Sequence, residues 1–505
     1  MFRRLRIYAR GVASIAVLLV SMGGGGGSGA SFAFVPMAID APDSPVLPNA
    51  TPACTSPAPV HTSGFFHCYT PADIAAAYGV DKLHAAGNLG QGQTIVLVDS
   101  YGSPTAANDI KFFHDTFYPN LPAANFEEWF PLGNPTANYT CTKSAGLSGP
   151  CSAANWSGEA TLDIEWAYAI APLAHIVLLA TPPAETLGVP GLPNMFKAMQ
   201  MAIDRFPAGT IFSQSFGLAE QTFGGAALNQ MTAFDETYQN GEAKGDTFLA
   251  SSGDEGNGGN DKNATLSGIY PFTVVGFPAI SPEVTAVGGT QLMFGWTLAP
   301  TSTNPQAFVN GGNTEALWNE CALFGGGNCV TGGGVSSFFT APSYQSGQAA
   351  INHGMRSIPD LSWSAAVNGG VLVYITAYPT AIRPGWHIFG GTSASSPQMA
   401  GVVALAETAR AKLGKGPLGN LGPHLYPLGN HDASAPDSSF GGSGASFFRD
   451  IVPQTFGSGS SAITLDNNQW TDPAAPYFAL PGYDLTTGFG SPHADLFVGG
   501  LAAQT

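Results

Sequence analysis

The segment Gly390-Gly391-Thr392-Ser393-Ala394-Ser395-Ser396-Pro397 carries the strongest chemical signal in the chain. An apolar run enters it through a glycine turn, and Met399 to Leu405 continues it as an apolar helical run. A serine there presents its hydroxyl at a helix N-terminus, whose partial positive charge stabilises developing negative charge. Pro397 suits the first turn of such a helix, where N–H groups lack an intrahelical acceptor. A lone Ser-x-Ser at a helix start is ordinarily an N-cap; the paired glycines and the long apolar helix favour Ser393 as a nucleophile. A serine nucleophile needs a base. The ten histidines are scattered and form no motif such as His-Gly-Thr-His.

Carboxyls offer another base. In Gly158-Glu159-Ala160-Thr161-Leu162-Asp163-Ile164-Glu165-Trp166, Glu159 and Asp163 are four apart and share one face of a helix. That face continues to Trp166 and Ile170, so two acids lie on an apolar stripe. Two close, partly buried carboxyls resist double ionisation and titrate as a pair. The simpler account, an acidic first turn complementing the helix dipole, explains Glu159 but not Asp163. A third acid, Asp254, ends the run Phe248-Leu249-Ala250-Ser251-Ser252-Gly253. It is either an ordinary turn aspartate or, when protonated, a hydrogen-bond donor to an oxyanion.

The elements that must position these residues alternate. Short apolar runs at Thr94–Val98, His175–Ala180, Thr210–Phe212, Thr247–Ala250, Val284–Val287 and Val371–Ile375 read as buried strands. Helical stretches at Ala160–Ala171, Asn194–Arg205 and Thr392–Lys412 fall between or after them, and Pro71–Tyr78 has helix-start chemistry. The pattern predicts an α/β fold, a mainly parallel sheet with helices on both faces and sites at the strands' carboxyl ends. Gly311–Gly312 and Gly325–Gly327 read as long glycine-rich loops.

With 505 residues, 44% hydrophobic and a net charge of −17, the chain can build a large core and is a poor partner for nucleic acid or an anionic membrane. Arg3, Arg4, Arg6 and Arg10, the apolar run Gly11 to Met22, and small residues near Ala30 and Ala33 read as a secretory signal over 1–33. The apolar run is shorter than the ~20 residues of a spanning helix; an uncleaved anchor is the alternative. Residues 34–65, rich in Pro, Ala, Ser and Thr, read as a flexible leader or short pro-segment, and 66–505 as one catalytic domain. A secreted product without stable membrane association follows, and no heptad argues against a monomer. Cys54, Cys68, Cys141, Cys151, Cys321 and Cys329 form three sequence-local pairs, expected as structural disulfides.

The Glu-x-x-x-Asp helix, the Ser-Gly-Asp turn and the Gly-Thr-Ser-Ala-Ser-x-Pro elbow resemble, in order and spacing, those of the sedolisins, serine-carboxyl peptidases with a subtilisin-like fold. Tyr69-Thr70-Pro71, Ser281 to Thr290, Gly332 to Ser336 and Arg356 to Ser362 agree, so the resemblance runs from Tyr69 to Pro492. It implies that Ser393 attacks the scissile carbonyl of a protein or peptide, Glu159 is the general base, Asp163 orients Glu159, and Asp254 donates to the oxyanion. It also implies one structural Ca²⁺, held by the carboxylates of Asp450 and Asp484 and by backbone oxygens of Ile451, Leu480 and Gly482.

The chain departs from the family pattern at several positions. Leu480 stands where glycine is usual, Phe216 where tryptophan is usual, and Asp99 where many members carry glutamate. The segment from Phe34 to His67 is far shorter than the inhibitory pro-domain of typical members. The implied activity is a secreted, acid-acting serine endopeptidase. Tripeptidyl-peptidase action and a catalytically inactive binding or surface protein on a peptidase fold are the alternatives. A Ser-His-Asp enzyme built on Asp99 lacks its histidine motif, and a metallopeptidase lacks His-Glu-x-x-His.

Overall fold

The computed structural model describes residues 38–40, 68–134, 150–182, 188–259, 270, 272–294, 313–321, 329–377, 384–440, 446–456, 462–470 and 475–505. The expected signal, nearly all of the leader, and the glycine runs at 311–312 and 325–327 lie outside these residues.

Seven strands lie side by side in the principal sheet. In chain order, after the short strands β1 (Ala38–Asp40) and β2 (Cys68–Tyr69), they are β3 (Thr94–Ser100), β4 (Asn125–Trp129), β5 (His175–Thr181), β6 (Ile211–Gln214), β7 (Thr247–Ser251), β8 (Thr285–Met293) and β9 (Thr314–Leu317). Their spatial order is β9-β8-β7-β6-β3-β5-β4, and β10 (Leu361–Ser364) also pairs with β8. Every pairing is parallel except that of β8 with β9. The expected mainly parallel α/β sheet is therefore present.

Strand β3 shows why both faces need cover. Ile95 and Leu97 enter one core, with Ala160 and Trp166 from α3 (Pro150–Ile170) and Met399 and Val402 from α6 (Thr392–Lys412). Val96 and Val98 enter the other, with Met195 and Met199 from α4 (Leu192–Arg205) and Tyr238 from α5 (Ala227–Glu242). Successive side chains leave a strand on opposite faces, so an all-apolar strand needs helices on both. Two shorter helices, α1 (Pro71–Tyr78) and α2 (Ala106–Phe117), complete the set used below. None of the described helices is long and apolar enough to cross a membrane.

Three expectations change. The run Val371–Ile375 leaves the parallel sheet: β11 (Gly370–Ile375) pairs antiparallel with β12 (Gly385–Phe389) in a second sheet, ordered β1-β12-β11-β2. Three residues of the expected leader, β1, form that sheet's edge strand against Phe389, Ile388 and His387. Helix α3 begins at Pro150, so Glu159 lies two turns inside it and the dipole account no longer applies.

Cys321 and Cys329 form the expected disulfide. Cys68 is also disulfide-bonded; Cys54 and Cys141 and the side chain of Cys151 lie outside the described residues.

Candidate active site

The carboxyl ends of three neighbouring parallel strands converge on one place. Asp99 lies near the end of β3, Ser215 follows β6, and Asp254 lies three residues beyond β7. Helix α3 brings Glu159 and Asp163 across them, and α6 brings Ser393 as its second residue. The turns before the two loop-borne groups depend on glycine. Gly253 (φ 115°) precedes Asp254, and Gly391 (φ 96°) turns the chain from β12 into α6. Pro397 lies in the second turn of α6, not the first. Its missing N–H falls where the helix would otherwise bond the Ser393 carbonyl.

Ser393, Asp163 and Asp254 are fully buried, and Glu159 is 1% exposed. Glu159 and Ser393 face each other, and the hydroxyl is the one neighbour that favours the ionised carboxylate. Neither the Ser393 Oγ nor either Glu159 oxygen closes a hydrogen bond among the described residues. Such loose geometry tightens on substrate in many enzymes. Asp163 Oδ1 accepts a 3.0 Å bond from Ser215 Oγ, and its other oxygen has no hydrogen-bond partner among the described residues. The Asp99 oxygens also have no hydrogen-bond partner among the described residues.

The acids raise one another. Burial, then the charges of Asp163 and Asp99, push Glu159 well above its ordinary range. Burial and Asp99 do the same to Asp163, and burial alone lifts Asp99 to about 8. Several carboxyls in one dry space hold protons that isolated ones would lose. Asp254 is pushed up to about 6 by burial, held there against Thr392, whose N–H and Oγ1 donate to Asp254 Oδ1 at 2.8 and 2.7 Å. Thr392 Oγ1 also accepts from Gly253 N at 3.1 Å. One threonine thus ties the Asp254 turn to the Ser393 helix, and Asp254 Oδ2 has no hydrogen-bond partner among the described residues.

A small, half-open cleft lies beside Asp254, lined among others by Ser252, Gly253, Glu255, Val274 and Gly332. Phe216, by contrast, is fully buried in the second core. The four residues expected to act together do meet. Thr392 and Ser215, which fix two of them, went unassigned in the sequence, although Thr392 lies in the Gly-Thr-Ser-Ala-Ser-x-Pro elbow.

At the expected calcium position, Asp450 Oδ1 accepts from Gly482 N and Asp484 Oδ2 from Leu480 N, each at 2.9 Å. Burial lifts Asp450 to about 7, with the Asp484 charge adding to it, and burial lifts Asp484 to about 6. Two buried carboxylates brought close from separate segments are oxygen donors of the kind that suits a hard cation. Leu480 is no obstacle, because among described non-glycine residues only Tyr101 and His353 have positive φ. No group of three or more His, Cys, Asp or Glu assembles as a metal cage among the described residues.

A model of the subtilase family (peptidase S8) matches residues 192–417, which include Asp254 and Ser393 but not the Glu159 helix. Kumamolisin from Bacillus sp. (strain MN-32) is 30% identical over 432 residues, covering 84% of this chain and 62% of kumamolisin. Tripeptidyl-peptidase 1 from Homo sapiens is 28% identical over 294 residues, 56% of this chain and 41% of that protein. The chain spans less than two thirds of the length of these relatives. A solved structure of Pseudomonas sedolisin, a serine-carboxyl proteinase complexed with pseudo-iodotyrostatin, shares the fold: TM-score 0.59 at 24% identity, over 86% of this chain and 98% of that one.

Proposed function

We propose that this chain, 30% identical to kumamolisin and sharing the fold of Pseudomonas sedolisin, is a secreted, acid-acting serine-carboxyl endopeptidase of the sedolisin family that hydrolyses protein or peptide substrates. One observation carries the reading: the Ser393 hydroxyl faces a buried carboxyl cluster, and no histidine hydrogen-bonds to Ser393, Glu159, Asp163 or Asp254 among the described residues.

In this reaction Ser393 Oγ attacks the scissile carbonyl while Glu159, as the ionised member of a pair whose remaining proton sits on Asp163, takes its proton. The tetrahedral oxyanion receives a hydrogen bond from protonated Asp254, through the oxygen to which Thr392 does not donate. Collapse expels the amine, which takes the proton from Glu159, and leaves an ester on Ser393. Water, deprotonated by Glu159, then cleaves the ester and regenerates the serine. Asp163, held by Ser215, keeps the shared protons beside Glu159. The scheme works only in acid: Asp254 is a donor below about pH 6, and a histidine base with a pKa near 6.5 would be protonated there.

Residues 1–33 act as the secretory signal, 34–65 as the leader and 66–505 as a monomeric catalytic domain. Asp450, Asp484 and the carbonyls of Ile451, Leu480 and Gly482 would hold a Ca²⁺ ion that fixes the C-terminal loops.

The test is hydrolysis of an unfolded protein from pH 2 to 8 by wild type, Ser393→Ala and Glu159→Gln. An acid optimum lost in both variants is expected. A neutral optimum, or full activity in Glu159→Gln, would overturn the carboxyl-base assignment. Because a tripeptidyl-peptidase is among the relatives, the products also matter: internal fragments support endopeptidase action, and successive amino-terminal tripeptides support the alternative.

A further inference from the structure

The hairpin β11–β12 delivers the nucleophile, since Phe389 ends β12 and Ser393 follows four residues later. One edge of β11 pairs with β12 along its whole length. Its other edge pairs with β2 only at Gly370 and Val371. Beyond that point side chains take over. Trp166 Nε1 donates to Leu372 O at 2.9 Å, and Glu165 Oε2 accepts from Tyr374 N at 2.9 Å. Asp109 accepts from Thr376, through Oδ2 from N at 3.2 Å and through Oδ1 from Oγ1 at 2.6 Å. Ser157 Oγ donates to Ala377 O at 3.3 Å.

Positions 372, 374 and 376 alternate, as the backbone groups along one strand edge do. The side chains therefore replace a missing neighbour strand. Ser157, Glu165 and Trp166 all come from α3, the helix that carries Glu159 and Asp163. At about 100° per residue, Glu165 points about 200° away from Asp163. Glu165 and Ser157 thus lie on the face of α3 opposite the one that meets the nucleophile, and with Trp166, which reaches the hairpin from the Glu159 side, they grip the strand that delivers it.

We propose that Glu165 is a positioning residue for the hydrolytic reaction: by accepting the Tyr374 N–H it holds the hairpin leading to Ser393 in register with the helix that carries Glu159. The inference rests on the serine-carboxyl reading above and deepens it. Glu165 is fully buried and its Oε1 has no hydrogen-bond partner among the described residues. Burial and the neighbouring Asp109 hold its carboxyl well above the ordinary range, so it is neutral in acid. A neutral carboxyl needs only an acceptor oxygen for this task, which an amide also provides.

The experiment measures kcat and KM per active site in acid, with sites titrated by a serine-directed peptide aldehyde, alongside Tm. Glu165→Gln keeps the acceptor and is expected within about threefold of wild type. Glu165→Met fills similar space without an acceptor. Its kcat per titrated site is expected to fall about tenfold or more with KM nearly unchanged, because displacements near 1 Å can cost about 10²-fold. Should Glu165→Met not accumulate, Trp166→Phe removes the adjacent tie, and a loss confined to kcat is expected there too. Wild-type kcat per titrated site in Glu165→Met, or in Trp166→Phe where that variant stands in, overturns the proposal, whatever happens to Tm. So does an equal loss in Glu165→Gln, which would make charge rather than acceptance the requirement. A wild type that neither binds the aldehyde nor hydrolyses protein in acid overturns the serine-carboxyl reading and this one together; each of the other failures removes the positioning role alone.

Discussion

Helices α3 and α6 carry the carboxyls and the serine, and they cross at Gly401. A Cβ placed on Gly401 would stand 2.5 Å from Ile170 Cβ, 2.8 Å from Ile170 Cγ2 and 3.2 Å from Ala167 O. Carbon atoms in contact settle at about 3.5–4.0 Å, so Gly401→Ala must part the helices by about 1 Å. Overpacking of this kind costs about 1–3 kcal/mol, while replacing a mid-helix glycine by alanine returns about 1 kcal/mol. The net loss of stability is therefore small, about 0–2 kcal/mol. Activity should suffer more. Gly401 lies about two helical turns from Ser393, and Ile170 about three from Glu159, so stiff helices carry the separation to the reacting groups. A shift near 1 Å costs up to about 10²-fold. Gly401→Ala should lower kcat/KM on a quenched peptide in acid about 10- to 100-fold while Tm falls only a few degrees. Full kcat/KM at unchanged or higher Tm would refute the reasoning. It would show that the helices absorb the methyl without separating at the site.

Thermal stability should be highest in acid and fall as pH rises toward 8. Burial lifts Asp235 and Glu407 to about 7 and Asp246 to about 6, whereas carboxyls in the unfolded chain titrate near 4. Between those values the folded state binds more protons, so the stabilisation is full below about pH 4 and lost through pH 6–7. Calorimetry across pH 3–8 checks this, and a Tm that climbed toward neutrality would contradict it. Asp254→Asn retains a donor that cannot lose its proton, so its high-pH activity limb should move above that of wild type. Asp254→Ala should lose about 10²–10³ in kcat. Identical pH profiles for Asp254→Asn and wild type would remove Asp254 from the oxyanion role. Calcium added near neutral pH should raise Tm through Asp450 and Asp484, and Asp484→Asn should abolish that rise.

The sequence revealed the parts of the site whose signal is local. Glu159 and Asp163 stand out because an acid pair on an apolar stripe is legible within one helix, and α6 spans Thr392–Lys412 as expected. What it hid depends on distant partners or on context. Thr392 grips Asp254 across 138 positions, and Glu165 meets Tyr374 across 209. Glu165 follows Asp163 by two positions in the same helix, but nothing near it in sequence says what it holds. The first turns of α3 contain Ser, Asn and Gly, weak helix formers, and tertiary packing overrides that preference. The run Val371–Ile375 reads as a buried strand either way, because apolar continuity does not distinguish a parallel sheet from an antiparallel hairpin.

An enzyme that takes unfolded polypeptide into its cleft lives among chains with free backbone donors and acceptors. An open strand edge is a template for such chains, inviting a guest to add itself as another strand. Edge pairing of β11 with β2 stops at Val371. Indole, carboxyl and hydroxyl groups occupy backbone groups of Leu372, Tyr374, Thr376 and Ala377 beyond it. In the peptidase proposed above, this would leave unfolded substrates no second strand edge here to join.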